Sequence, residues 1–584
     1  MALRADDQRL LDLRAHDPQH PAVELRLVEG GGQSEAVLEA QTLGLFLGAL
    51  GQTVGAAVSR PRGVARSARS FTAGLAGATA AAVRRAVGQD VDGPIAPPRD
   101  RRFADATWDE NAAFWWLRQV QLLNERFIDE LIEHAPLTEP VRRKASFLAE
   151  VALGAASPTN LTPTNPAAIK RAFETGGLSV VRGAKAMAHD VRHNHGWPSA
   201  VDTTPFEVGT TLAATEGRVV YRSHLIEVIQ YDARTEQVHE VPLLFCPPWI
   251  NRFYIMDLAP GRSLIEWAID HGHTCFAISY RNADASLRDA SFEEYIEEGP
   301  RRAVSVVKEI TGAERVNTVG VCLGGTLNAM AMAVDASKGD DDVNSATFIN
   351  THTDFTRPGT LGAFTDEATV DLITRYLDSA PLLSSRHMGH TFALLRANDL
   401  VFQYVVSGWL LGKEPAAFDL LAWNEDGTNM PARLHSDFLR SCYVENRFAN
   451  GEMEVGGTTL DPSAVTTPSY VVSAVDDHIV PWASAYQSTQ VLNSDDQRFV
   501  LSSGGHIAAI VNPPSPKARF WANDELPADH DEWLARAVQH DGTWWEDWAA
   551  WLADRSGPMV AAPTELGAAD HLPMDAAPGT YVLT

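Results

Sequence analysis

Cysteine is scarce in this 584-residue chain: four occur, and none stands in a C-x-x-C pair. That argues against a disulfide scaffold and a cysteine zinc site, and makes a reducing cytoplasm the expected setting. H-E-x-x-H is absent, and His189, His193 and His195 lack carboxylate or cysteine partners at ligand spacing, so no metal is expected. Positive charge is also short. The 48 Lys and Arg face 75 Asp and Glu, a net charge of −27. Such a surface repels phosphates, so no nucleic-acid partner is expected, although an anionic small molecule needs only a local basic mouth. Arg4, Asp6, Asp7 and Arg9 interrupt the start of the chain. With no apolar run of about 18 residues, neither a signal peptide nor a transmembrane segment is expected.

Apolar residues at 45% and charged residues at 21% describe an ordinary globular chain, long enough for a large core. Residues 1–100 are rich in Ala, Gly and Val. Between Gly55 and Gln89 they hold Arg60, Arg62, Arg66, Arg69, Arg84 and Arg85 and no acid. This part is expected to be a flexible, partly helical leader, or a segment that docks on an apolar or anionic surface, and to be dispensable for chemistry. Residues 101–205 read as a helical N-terminal domain, with Phe114, Trp115, Leu117, Val120, Leu123 and Leu131 near helical period.

From residue 206 short apolar runs alternate with helical patterns. The spacing predicts strands at Arg218–Tyr221, Val241–Phe245, Thr274–Ser279, Val316–Val321, Ala346–Ile349, Ser469–Ala474 and Arg498–Ser502. Alternation of this kind means an α/β fold, a mostly parallel sheet with helices on both faces. It lapses at about 351–467, which reads as a cap inserted into a catalytic domain of residues 206–584.

The sharpest local signal is Val319-Gly320-Val321-Cys322-Leu323-Gly324-Gly325. A strand pattern precedes it and a helical one follows, as in the G-x-nucleophile-x-G elbow, with cysteine in place of serine. The positive end of the following helix favours thiolate there. Cys246, Cys275 and Cys442 have no such context and read as inert. An elbow needs an acid and then a histidine. Asp477, in competition with Asp476, follows the Ser469–Ala474 strand, and His506 follows Arg498–Ser502. Both fall at strand C-terminal ends, where open parallel sheets carry their sites. His478 adjoins the acid too closely to be oriented by it and is treated as secondary. For the oxyanion hole, one backbone donor is expected from Leu323. The other comes from the loop Cys246-Pro247-Pro248-Trp249-Ile250-Asn251. Its prolines have no N–H, which leaves Trp249 or Ile250.

With these residues in place the chain resembles the single-subunit polyhydroxyalkanoate synthases. The matching words are Pro247-Pro248-Trp249-Ile250-Asn251-Arg252-Phe253-Tyr254, Gly320-Val321-Cys322-Leu323-Gly324-Gly325, Leu394-Leu395-Arg396-Ala397-Asn398-Asp399-Leu400, Asp477-His478-Ile479-Val480-Pro481-Trp482 and Gly505-His506-Ile507. Trp423-Asn424 with Asp426 and Asn429, and Pro578-Gly579 with Tyr581-Val582, extend the match, which runs from about residue 101 onward. The resemblance implies an α/β-hydrolase core with a cap behind a helical N-terminal domain. It implies polymerisation of 3-hydroxyacyl-CoA thioesters with release of CoA, with Cys322 as nucleophile, His506 as base and Asp477 as the acid that either fixes the His506 tautomer or helps activate the incoming hydroxyl. No cofactor is implied, since CoA is a product. The implied partners are the hydroxyacyl-CoA, the growing polyester chain, a second subunit in a homodimer and granule-associated proteins, at cytoplasmic polyester granules. A cysteine α/β-hydrolase acting as a thioesterase or lactone hydrolase would use the same three residues and release free acid. A granule-coat scaffold would need none of them.

Overall fold

The computed structural model describes residues 35–96 and 100–584. Its centre is a ten-stranded sheet of β1 (Gly217–Arg222), β2 (Ile226–Tyr231), β3 (Leu243–Cys246), β4 (Cys275–Tyr280), β5 (Val316–Val321), β6 (Val343–Ile349), β7 (Ser469–Ala474), β8 (Gln497–Ser502), β9 (Arg519–Ala522) and β10 (Val538–Asp541). The spatial order is β1-β2-β4-β3-β5-β6-β7-β8-β9-β10. Strands β4 to β8 in that order run parallel, and antiparallel strands finish both edges. All seven expected strands are present. The chain leaves β3 toward β4 on one side and resumes with β5 on the other, so the order reverses beside β3. Such a reversal opens a crevice at the strand C-terminal ends.

Strand β2 was not expected, because Glu227 and Gln230 break its apolar pattern. All six of its residues are nevertheless buried. The Glu227 carboxylate accepts from the Thr580 amide (3.1 Å), the Thr580 hydroxyl (2.9 Å), the Tyr581 amide (3.1 Å) and Arg222 Nε (2.8 Å). Burial of a charge is tolerated only with such a full set of donors. Gly579 makes the approach possible: its φ is +85° and a side chain there would strike Glu227.

The helical N-terminal part comprises α1 (Glu35–Val58), α2 (Pro61–Ala86), α3 (Ala112–His134), α4 (Glu139–Ala155) and α5 (Leu178–His193). Residues 35–86 thus form two long helices packed on the rest of the domain, where a flexible, partly helical leader was expected. Alanine is the strongest helix former, and one glycine here serves packing: Gly74 leaves no room for a side chain beside Leu123 of α3. Phe71 stacks on Phe127 at 5.1 Å. Phe46 of α1 meets Phe147 of α4 at 5.5 Å and Phe364 of the inserted segment at 5.0 Å. The carboxylate of Glu35 accepts from the Ser384 amide and from Arg386, each at 3.1 Å. Residues 1–34 of the expected leader lie outside the described residues. By length and composition α1 is apolar enough to cross a membrane, the only such helix among the described residues, where none was expected. It has no run of the kind sought in the sequence, because Gly, Thr and Gln dilute its apolar residues.

Helix α6 (Leu323–Lys338) follows β5, and between β6 and β7 lies a mainly helical insertion that includes α7 (Glu367–Leu377). Helix α5 seats against this insertion. Gly183 abuts the Trp409 backbone, and Trp409 Nε1 donates to Asp190 at 2.7 Å.

Candidate active site

Cys322 stands between β5 and α6 with φ 50° and ψ −121°, a conformation that side chains rarely adopt. The Cys322 amide donates to the Ile349 carbonyl at 2.8 Å and its carbonyl accepts from Gly325 N at 3.0 Å. Three glycines make the turn possible. A side chain on Gly320 would overlap Gly325, one on Gly324 would overlap the Cys246 and Pro247 carbonyls, and one on Gly325 would overlap Thr351. Cys322 is partly exposed, whereas Cys246, Cys275 and Cys442 are buried. Burial pushes those three thiols well above their ordinary range, which leaves them poor nucleophiles.

Asp477 and His506 come together at the ends of β7 and β8. His506 Nδ1–H donates to Asp477 Oδ2 at 2.7 Å, and Asp477 Oδ1 accepts from the Ile479 and Val480 amides at 2.9 and 2.8 Å. The Asp477 side chain is fully buried, while Asp476 points to solvent. His506 opens the short α8 (His506–Ile510), and its carbonyl accepts from Asn350 Nδ2 at 2.6 Å. Burial opposes a charge on the His506 ring, but Asp477 outweighs it and the Cys322 sulfur adds to the effect, so its pKa is raised. With Nδ1 committed to Asp477, the ring has Nε2 to offer Cys322. Cys322, Asp477 and His506 therefore converge on one point.

His478 does not take part in that hydrogen bond. Its Nδ1 is buried without a partner. Burial, with His506 nearby, lowers its pKa to about 4. The expected oxyanion donors follow neighbouring strands, Leu323 at the start of α6 and Trp249 in the loop after β3, with Cys246 paired to Gly320. The close approach of Gly324 to the Cys246–Pro247 backbone seats the Trp249 loop beside the elbow. The Leu323 and Trp249 amides have no hydrogen-bond partner among the described residues. The three histidines do not converge: His189 and His193 of α5 lie ring to ring at 4.8 Å, while His195, past the end of α5, faces Arg386. Among the described residues no group of three or more His, Cys, Asp or Glu is arranged to hold a metal.

Two neighbours of the site escaped the sequence reading. Asn350-Thr351-His352 follows β6, itself a central strand end, and that position was the available signal. Thr351 Oγ1 donates to the Cys322 carbonyl at 3.2 Å. His352 is buried with Nδ1 at 2.8 Å from Ser484 Oγ and Nε2 unpartnered. Burial lowers its pKa to about 4. Tyr443, from the insertion, packs on Phe355 and Phe438 at 4.9 and 5.5 Å. Burial first, and then Cys322, pushes its hydroxyl pKa upward. Nothing in the local sequence marks Tyr443, because its place depends on how the insertion folds back.

A strained cysteine elbow over a reversing parallel sheet defines a protein of the α/β-hydrolase class, and residues 242–513 match the family described as the alpha/beta hydrolase fold. Residues 99–268 match the family described as the N-terminus of poly-beta-hydroxybutyrate polymerase. The poly(3-hydroxyalkanoate) polymerase subunit PhaC of Cupriavidus necator is 40% identical over 493 residues, 83% of this chain and 83% of that one. The poly(3-hydroxyalkanoate) polymerase of Methylorubrum extorquens is 40% identical, over 83% of this chain and 81% of its own. Polymerase 2 of Ectopseudomonas oleovorans is 39% identical, over 84% and 88%. The chain belongs to the poly(3-hydroxyalkanoate) polymerase family, enzymes of the acyltransferase kind.

Proposed function

We propose that the chain polymerises 3-hydroxyacyl-CoA thioesters with release of CoA, through a triad of Cys322, His506 and Asp477. The observation that carries this reading is the convergence of the elbow cysteine with the 2.7 Å His506–Asp477 pair in a member of this family. His506 Nε2 takes the proton of the Cys322 thiol, and Asp477 holds the ring in the tautomer that can do so. The thiolate adds to the thioester carbonyl, whose oxygen turns toward the Leu323 and Trp249 amides. The C–S bond to CoA breaks, the CoA sulfur takes the proton from His506, and an acyl–Cys322 thioester remains. Exchange between two thiols is nearly balanced in energy and therefore freely reversible. His506 next removes the proton of a chain-end or substrate hydroxyl. That oxygen attacks the acyl carbon, forms the ester and returns Cys322 as a thiol.

Water at the same position would yield free acid, so Phe355, Phe438 and Tyr443 matter as an apolar screen beside Cys322. The test supplies 3-hydroxybutyryl-CoA and follows CoA together with insoluble polymer. CoA with polymer is expected. CoA with monomeric acid would make the enzyme a thioesterase, and neither product would refute the substrate class.

A further inference from the structure

Helix α5 is inside out. Its buried residues are Ser179, Gly183 and Asp190, small or polar, and they receive Trp409 of the insertion. The apolar residues face solvent: Val180, Val181, Met187 and Val191 are between 45% and 56% exposed. At 3.6 residues per turn these four, with Ala184 and Ala188, fill an arc of about 120°. Arg182, Lys185, His189, Arg192 and His193, all exposed, occupy the adjoining arc. Asp190, the helix's one acid, is consumed inward by Ser199 and Trp409. The ion pairs of the short helix Pro166–Glu174, Lys170–Asp105 and Arg171–Glu174, stop before α5 begins. No carboxylate among the described residues pairs with its cations.

An ordinary surface helix buries its apolar stripe and shows its charges. A helix that shows an apolar arc beside a cationic one has the make-up of an in-plane interfacial helix. We propose that α5 docks the protein on a lipid surface carrying anionic headgroups, with its apolar arc inserted and its cations among the headgroups. Charge selects this occupant. A chain of net charge −27 is repelled by an anionic surface almost everywhere, and α5 offers a cationic landing face. A second copy seated symmetrically on the same face would oppose its basic arc with another. The inference stands apart from the chemistry assigned to Cys322.

The full chain is sedimented with phosphatidylcholine vesicles, with and without phosphatidylglycerol. Binding to the mixed vesicles, weakening as salt is raised, is expected. Arg182→Gln, Lys185→Gln and Arg192→Gln together should weaken it about 100-fold, at about fivefold per cation near an anionic surface. Val180→Ser, Met187→Ser and Val191→Ser should weaken it also, with the turnover of soluble substrate unchanged in both variants. Vesicle binding equal to that of the parent chain in both variants would overturn the proposal. So would a serine variant that turns a dimer into a monomer without changing vesicle binding, because a second copy would then own the face.

Discussion

Asp477→Asn is the substitution whose outcome the geometry determines most closely. Asp477 Oδ1 accepts from two backbone amides, at 2.9 and 2.8 Å, and Oδ2 accepts from His506 at 2.7 Å. An asparagine must keep its oxygen toward the two amides, which turns its NH2 toward His506 Nδ1. Two donors cannot face each other in a buried site, so the ring moves its proton to Nε2 and can no longer accept one from Cys322. Loss of a general base slows reactions by roughly 10² to 10⁴, or about 3–5 kcal/mol of barrier. A carboxylate that is fully buried, with both its oxygens engaged, is expected to act through His506 and not on an incoming hydroxyl. The first release of CoA and the later growth of polymer should therefore slow by the same factor. Rapid-quench measurement of CoA in a single turnover, beside steady-state polymer formation, reads the two steps. A normal first release followed by arrested growth would refute the reasoning and assign Asp477 to the hydroxyl.

Cys322→Ala should abolish CoA release with the melting temperature unchanged, and Cys322→Ser should retain only a trace, because a hydroxyl is far harder to deprotonate; thioester turnover decides both. In Gly324→Ala the new methyl strikes the Cys246–Pro247 backbone, so thermal melts should show a loss of about 1–3 kcal/mol and turnover should fall as the Trp249 loop shifts. His506 has a raised pKa, so its stabilisation is complete below its ordinary value of 6.5 and fades as pH climbs through the raised one. Melting temperatures measured on the alkaline side should fall in the parent chain and flatten in His506→Gln. A chain beginning near Asp100 loses α1 and α2 and uncovers Leu123 and Phe147, side chains worth about 1.5–3 kcal/mol each when buried. It should melt early and lose turnover, whereas unchanged turnover would return residues 35–86 to the role of a dispensable leader.

The parallel strands and the elbow were legible because each is a local pattern: β-branched runs, and small residues around one cysteine. Asp477 and His506 were legible by position, each just past a strand end. Strand β2 was not, since Glu227 looks like a surface residue until the segment around Thr580 and Tyr581 supplies its donors. The packing of the Ala-rich helices was not legible for the same reason. Composition gives α2 its helix propensity, but only α3 explains why Gly74 must be glycine. His352 and Tyr443 reach the site through contacts that span the insertion, and no short window of sequence holds both ends of such a contact.

The Glu227 clamp also bears on synthesis. The carboxylate that β2 buries is satisfied by a residue 353 positions downstream, and Arg252, in the loop that carries Trp249, donates to the Tyr581 carbonyl at 3.2 Å. On the ribosome, β1 and β2 emerge long before these partners exist. A contact of such range is closed late and at high entropic expense. Until it closes, Glu227 has Arg222 but not the Thr580 and Tyr581 donors, and the Trp249 loop lacks one of its anchors. The sheet edge and the Trp249 loop are thereby completed only once residues 575–581 are available to them.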